Sequence, residues 1–528
     1  MPAAAARTDQ RWAELVSRVL GVNDDPQNEL DVVAILESLG WTDHRADEVM
    51  GFPDLFELGQ ELYPQIRSQV RTEVLVLREE EPWHRSALQF LWHFLRGIVF
   101  MLPILVSVLA MIVLRISYAS FQYFTVAQAT ALALASFLSS VVTGGFIQSM
   151  AHSVYLFLGY QEPNMARLVS NLWIRWGLWA CLALVSVLFL LDIPIRFMPL
   201  SLVAFMALYT VFLSAMWLGF AQLYVLHREY LLGLIALISA LAAYAIWRSG
   251  LPVVLAHVVS ISLGTVIALG VATWEFMRRG RDAKNRVRVV RPRASQLAYT
   301  ASPYFLYGVM YFLYLYLDRL ISWSTLSSTM PYYIWFRGQY ELGMDWSILM
   351  LVLPVGVAEV LLYRLMEGIQ QQSQKSSAAS AHDMSNAFRR QYGRSLVPLG
   401  LIGVVGAIGG QFLVRWASGV HFLAAATPFA GIERYVFTLS SIGYVLLGTA
   451  LYNILLMFSL GVPRPVLRTL TWALITDFAV GLVLTRVTGQ YQLAVWGLVA
   501  GSAFLLVATT RELFRLLPSI DFFMYRMV

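Results

Sequence analysis

Apolar runs of about twenty residues recur from residue 95 to residue 514, and this recurrence constrains the chain more than any other feature. A helix needs about 20 residues to cross a hydrocarbon core roughly 30 Å thick. Backbone groups inside lipid must be satisfied within the segment, so a helix is the expected state of each run. The runs predict spans near 95–116, 126–149, 171–191, 199–224, 230–247, 252–276, 300–323, 346–366, 396–416, 435–459, 467–487 and 491–514. Composition agrees: 58% of the 528 residues are hydrophobic and 13% charged, with a mean hydropathy of +0.63. The expected fold class is therefore all-α, a polytopic membrane protein of about twelve transmembrane helices in two six-helix lobes, with a small helical N-terminal domain.

Charge divides the chain. Residues 1–85 hold 8 Arg/Lys against 17 Asp/Glu, a net −9, so the remainder carries +15 of the total +6. The opening MPAAAARTDQRWAEL has no apolar stretch before a cleavage site, so no secretory leader is expected. Residues 8–81 read as short amphipathic helices. Asp31 to Gly40 has helical apolar spacing and stops at a glycine. Gly51-Phe52-Pro53-Asp54 reads as a break followed by an N-cap.

Orientation follows from the loops, because short basic loops stay cytoplasmic. Segment 278–293, RRGRDAKNRVRVVRPR, has eight basic residues and one acid. Lys375, Arg389, Arg390 and Arg394 lie in 367–395, with Arg464, Arg468, Arg515 and Arg526 further on. All follow even-numbered spans, so twelve spans with both termini cytoplasmic satisfy them together, and 324–345 and 417–434 face outside. The expected domains are an acidic cytoplasmic domain (1–87), a first six-helix lobe (88–277), a basic linker (278–298) and a second lobe (299–528). This is the layout of a duplicated transporter. An internal echo supports it: Tyr209, Ser214, Ala215 and Trp217 recur at the same spacing as Tyr444, Thr449, Ala450 and Tyr452.

Nothing nominates an enzyme. There is no G-x-x-x-x-G-K-[ST], no H-E-x-x-H and no G-x-S-x-G. Cys181 is the single cysteine, so no disulfide framework or cysteine metal cluster exists. No catalytic residue, metal, cofactor or nucleic-acid partner is expected.

The seventh span carries the sharpest pattern. Tyr304, Tyr307, Tyr311, Tyr314 and Asp318 fall at spacings of 3, 4, 3 and 4. At about 100° per residue they share one helix face about 21 Å long. Tyrosine joins a flat apolar ring to a hydroxyl that donates and accepts. Such a stripe suits a surface over which sugar units slide; packing against neighbouring helices is the plainer reading. Asp318-Arg319 closes the stripe as either a substrate contact or a helix-end anchor. Glu359 and Arg364, and Asp477 within TWALITDFAVGLVL, are deeper. Charges at such depth face protein or water, and Glu359 and Asp477 are ion-coupling candidates. Arg96, Arg175 and Glu275 read as snorkelling near cytoplasmic ends. Gly144-Gly145, Gly159, Pro163, Pro354-Val355-Gly356 and the glycines from 400 to 410 interrupt otherwise smooth helices.

Three stretches resemble the Pel exopolysaccharide exporter family: FMALYTVFLSAMWLGFAQLYVLHREY (205–230), YGVMYFLYLYLDRLISW (307–323) and SSIGYVLLGTALYNILLMFSLGVPRP (440–465). They are similar to that family's fourth, seventh and tenth spans, and Asp318-Arg319 stands where it has an acidic-basic pair. The family belongs to the MATE-like flippases of the multidrug/oligosaccharidyl-lipid/polysaccharide superfamily. The resemblance implies two lobes around a central cavity and export of a polysaccharide or lipid-linked glycan across the cytoplasmic membrane, with membrane lipids and a polysaccharide synthase complex as partners. Two departures stand out: Ala358-Glu359-Val360 replaces a carboxylate-rich eighth span, and residues 1–85 have no counterpart. Two other readings remain open. One is a cation-coupled small-molecule exporter on the same scaffold. The other is a non-transporting membrane scaffold whose acidic domain docks on 278–293.

Overall fold

The computed structural model is helical throughout its regular elements. It describes residues 12–519 other than 13, 24–25, 27, 77–82, 100, 119, 283–291, 327–329, 331, 374–380, 425–426 and 429. Most of the basic segment 278–293 thus lies outside the described residues. The chain divides into two units, 1–92 with 367–384, and 93–366 with 385–528.

In the first unit a helical stretch at 14–22 precedes α1 (Glu29–Ser38), α2 (Asp43–Met50) and α3 (Leu55–Val76). Each start has a side-chain cap. Asn28 accepts from the Asp31 amide, Thr42 from that of Arg45, and Asp54 from that of Glu57 at 2.8 Å. Helix α2 ends at Gly51 in the left-handed conformation, φ 78°. Val19, Val32, Leu36, Leu58, Leu62 and Ile66 form its core.

Helix α4 (Trp83–Val99), whose residues from 93 on belong to the second unit, meets α5 (Leu102–Val113) at a 72° bend, the geometry of a broken span or a re-entrant loop. Pro103, at the start of α5, lacks the amide that would continue the ladder. The first lobe continues through α6 (Val126–Gly159), α7 (Pro163–Ile195), α8 (Leu200–Val225), α9 (Tyr230–Arg248) and α10 (Val253–Asp282). The second runs through α11 (Ala294–Trp323), α12 (Gly338–Ser347), α13 (Val352–Ser373), α14 (Ala381–Gly419), α15 (Gly431–Ser459), α16 (Pro463–Thr488) and α17 (Val495–Leu516). Ten helical segments among the described residues are long and apolar enough to cross a membrane, eleven where the bent α4–α5 pair is taken as one span. A further long helix, α11, packs beside α6 and α16, and its tyrosines lower its hydropathy.

Boundaries depart from expectation where polar residues extend a helix past its apolar run. The eighth span starts at Gly338, well before 346, and runs on through a 3₁₀ turn at Ile348–Leu351 into α13. Helix α14 begins at Ala381, fifteen residues before its apolar run. The loop between α5 and α6 is pinned into its lobe. Tyr118 donates to the Pro103 carbonyl at 3.0 Å, Tyr209 to that of Tyr118, and the His257 ring bridges the Val253 and Ser120 carbonyls at 2.9 and 3.0 Å. Cys181 is fully buried, its thiol 3.3 Å from the Ser214 hydroxyl.

The lobes meet along two seams. On one, α6 runs antiparallel to α11. Gly144 and Gly145 meet Gly308, Phe305 and Phe312, and a β-carbon on Gly308 would strike the Gly144 carbonyl. Small residues let helix backbones touch in a bilayer, where apolar burial alone does not drive association. On the other, Gly97 of α4 faces Gly356 and Glu359 of α13. The pairing is reciprocal: the first helix of each lobe packs on the second helix of the other.

Candidate functional site

Helix α11 carries its tyrosine face from one seam into the interior of the second lobe. In the first turns of its tyrosine face Tyr304 stacks on His152 of α6, ring centres 3.8 Å apart and planes 15° apart. The other seam carries a matching pair, His93 of α4 on Tyr363 of α13, also at 3.8 Å. Tyr307 meets the Phe458 ring edge-on at 4.8 Å and stacks beside half-buried Tyr311 at 5.7 Å. Tyr314, a further turn along, is sealed inside the lobe. Its hydroxyl is 2.8 Å from that of Ser502 and 3.3 Å from the Leu498 carbonyl. The stripe therefore has two parts, with Tyr304, Tyr307 and Tyr311 in one and Tyr314 and Asp318 in the other.

Charge gathers around the second part. Asp318 is buried and accepts from the Tyr340 hydroxyl at 2.6 Å through one oxygen, while its other oxygen has no partner among the described residues. Arg319 pairs with Glu341 and lies 3.5 Å from Asp345, with its guanidinium 5.7 Å from the centre of the Tyr316 ring. Glu341 also accepts from the Trp323 indole at 2.8 Å. Glu341 and Asp345 stand four apart on α12, so both side chains reach the same side. Breaking such a buried pair leaves an uncompensated charge, which is more costly than the pair itself is favourable.

Asp477 lies in the middle of α16, fully buried, and neither carboxyl oxygen has a hydrogen-bond partner among the described residues. Its room comes from α17. A β-carbon on Gly497 would strike the Asp477 carboxyl, and one on Gly501 would lie 2.9 Å from both the Asp477 β-carbon and the Tyr314 hydroxyl. Thus Tyr314, Asp318, Arg319 and Asp477 come together. Glu359 stands apart on α13, half-buried beside Gly97. Glu275 pairs with Arg228 at 2.7 Å.

Sequence reasoning missed Tyr340, Glu341 and Asp345 because 324–345 read as an outer loop. The available signal was the four-residue spacing of two carboxylates beside an arginine in need of a partner. His152 gave no sequence signal, since its role depends on which helix α6 meets.

No protein-family model and no curated protein matches the sequence. Solved structures do. A point mutant of the Vibrio cholerae MATE transporter VcmN aligns over 81% of this chain and 98% of its own, with TM-score 0.54 and 13% identity. An outward-facing multidrug resistance MATE transporter of the MOP superfamily aligns over 81% and 96%, with TM-score 0.54 and 12% identity. The eukaryotic MATE transporter AtDTX14 aligns over 81% and 96%, with TM-score 0.52 and 13% identity. The chain has the MATE fold. The aligned share leaves room for the small N-terminal helical unit outside the MATE fold, and the full lengths of the solved transporters are nearly covered.

Proposed function

We propose that the chain is a membrane transporter working by alternating access, which carries a polysaccharide or lipid-linked glycan out across the cytoplasmic membrane with both termini in the cytoplasm. The observation that supports this most is the pair of histidine–tyrosine stacks, one on each seam. When a seam parts, each stack separates into two flat faces with polar rims, and Tyr307 and Tyr311 extend the surface along α11. Sugar rings stack on such faces and exchange hydrogen bonds at their edges. Membrane lipids, and a polysaccharide synthase delivering the polymer, are the partners this reading calls for; the acidic N-terminal unit is a partner-binding element.

The test uses the purified full chain in liposomes with a fluorescent lipid-linked oligosaccharide. Wild type moves the probe between leaflets, and Tyr307→Ala and Tyr311→Ala slow it at unchanged thermal stability. Wild-type rates in both variants would remove the tyrosine face from the path. No movement by wild type would sink the glycan reading.

A second reading, a cation-coupled small-molecule exporter, draws on Asp477. A buried carboxyl group without a donor is a place to take up a proton or cation. The likeness to a multidrug resistance transporter is compatible with it. Dye efflux driven by an imposed proton or sodium gradient, lost in Asp477→Asn, would favour this reading over the first.

A further inference from the structure

Between the first turns of α16 and the last turns of α17 lies a half-open cleft of about 290 Å³, remote from the seams. Its walls are graded. Arg468, Arg511 and Arg515 stand at the end of the two helices, and Trp472, Phe504 and Val507 line the deeper part. Seven residues separate Phe504 from Arg511, so about 10 Å of helix divides the apolar floor from the cationic rim. The apolar residues belong to the exposed flank of the bundle: Trp472 is 55% and Val507 68% accessible. That flank lies within spans, where acyl chains are the solvent.

The charges are arranged for a further anion. Glu512 holds Arg468 at 2.9 Å and Arg515 at 3.0 Å, fixing both guanidinium groups at the rim. Three arginines against one glutamate leave an excess of two positive charges. Arg511 is exposed and has no carboxylate partner among the described residues. A soluble anion would use the rim alone and leave the aromatic floor idle. A zwitterionic lipid would fill the floor but bring its own cation to the rim. We infer that this cleft binds an anionic phospholipid, its phosphate on Arg468 and Arg511 and the start of its acyl chain along Trp472 and Phe504. Basic pockets between spans on the cytoplasmic side suit such head groups, and the arginines assign this end to that side.

The experiment compares the full chain with Arg511→Gln, which leaves both Glu512 pairs intact, and with Arg468→Gln/Arg511→Gln. An exchange at exposed Arg415 in α14 is the control. Lipid retention is read by native mass spectrometry and by the thermal shift on adding phosphatidylglycerol, phosphatidylcholine or inorganic phosphate to protein in detergent. Phosphatidylglycerol alone should stabilise wild type and remain bound. Retention should fall about fivefold in Arg511→Gln and about thirtyfold in the double variant, and stay unchanged in the Arg415 control. Unchanged retention in both cleft variants overturns the inference. So does an equal response to phosphatidylcholine or inorganic phosphate, or concentration-dependent dimers that protect the cleft instead.

Discussion

Gly308 of α11 and Gly144 of α6 touch backbone to backbone, leaving no space for a side chain on either. This contact lies near the middle of the antiparallel α6–α11 seam, between the Phe137–Tyr316 pair at one end and the His152–Tyr304 stack at the other. The lobes are therefore in close backbone contact here, flanked by aromatic contacts that must break for them to separate.

Gly308→Val should wedge this seam. Overpacking a close contact costs about 1–3 kcal/mol, so the purified variant should melt lower and lose transport. Gly400→Ala, where a β-carbon meets open space, should leave transport unchanged and the melt unchanged or slightly raised. Thermal melts and liposome transport of the two variants decide this; equal behaviour would mean the seam does not need its small residues.

Arg319→Leu should be among the most damaging single changes in the second lobe. It leaves Glu341 buried without its cation, at a cost of about 3–5 kcal/mol. Arg319→Leu/Glu341→Leu should recover much of that loss, although Asp345 and Asp318 remain nearby. Unfolding midpoints of the single and double variants give the coupling, and additive losses would contradict the pairing.

Asp477→Asn should fold about as well as wild type, since no hydrogen bond among the described residues is lost and a carboxyl group that would be costly to ionise there is replaced by a neutral amide. If this carboxyl group couples ions to transport, gradient-driven movement disappears while exchange without a gradient persists. Gly501→Val, which would push against Asp477 and Tyr314, should impair both folding and transport. Undiminished gradient-driven transport in Asp477→Asn would remove it from coupling.

The N-terminal unit should unfold independently. Leu36→Ala and Leu58→Ala each empty part of a small core and should cost about 2–5 kcal/mol, enough to melt a domain of this size. Limited proteolysis should then remove the N-terminal segment while the melting temperature of the membrane unit holds. Loss of both together would show that the units are energetically linked.

Legibility in the sequence followed the local rules. Apolar length located the spans, and the glycine–proline break at 51–53 with Asp54 as cap is found as read. Twelve spans emerge only by counting α11, whose tyrosines hide it from a hydropathy measure, and by joining α4 to α5 across their bend. The periodicity of 304–318 shows that these side chains share a face, but not what covers it. Tyr304 meets another lobe and Tyr314 a neighbouring helix because those contacts join residues about 150 and 190 positions apart. Glu341 and Asp345 stayed hidden for a related reason: a helix that rises beyond the bilayer turns polar and resembles a loop.

The burial of Cys181 against Ser214 has a practical consequence. The native chain offers no accessible thiol, so cysteines introduced at exposed positions on α6 and on or just after α11, in place of Leu156 and Tyr299 near one end of the seam or of Val126 and Leu326 near the other, would be the reactive pair. Spin labels or fluorophores attached there could then act as molecular rulers, reporting in real time which end of the bundle widens, on a background that needs no prior removal of native sulfur.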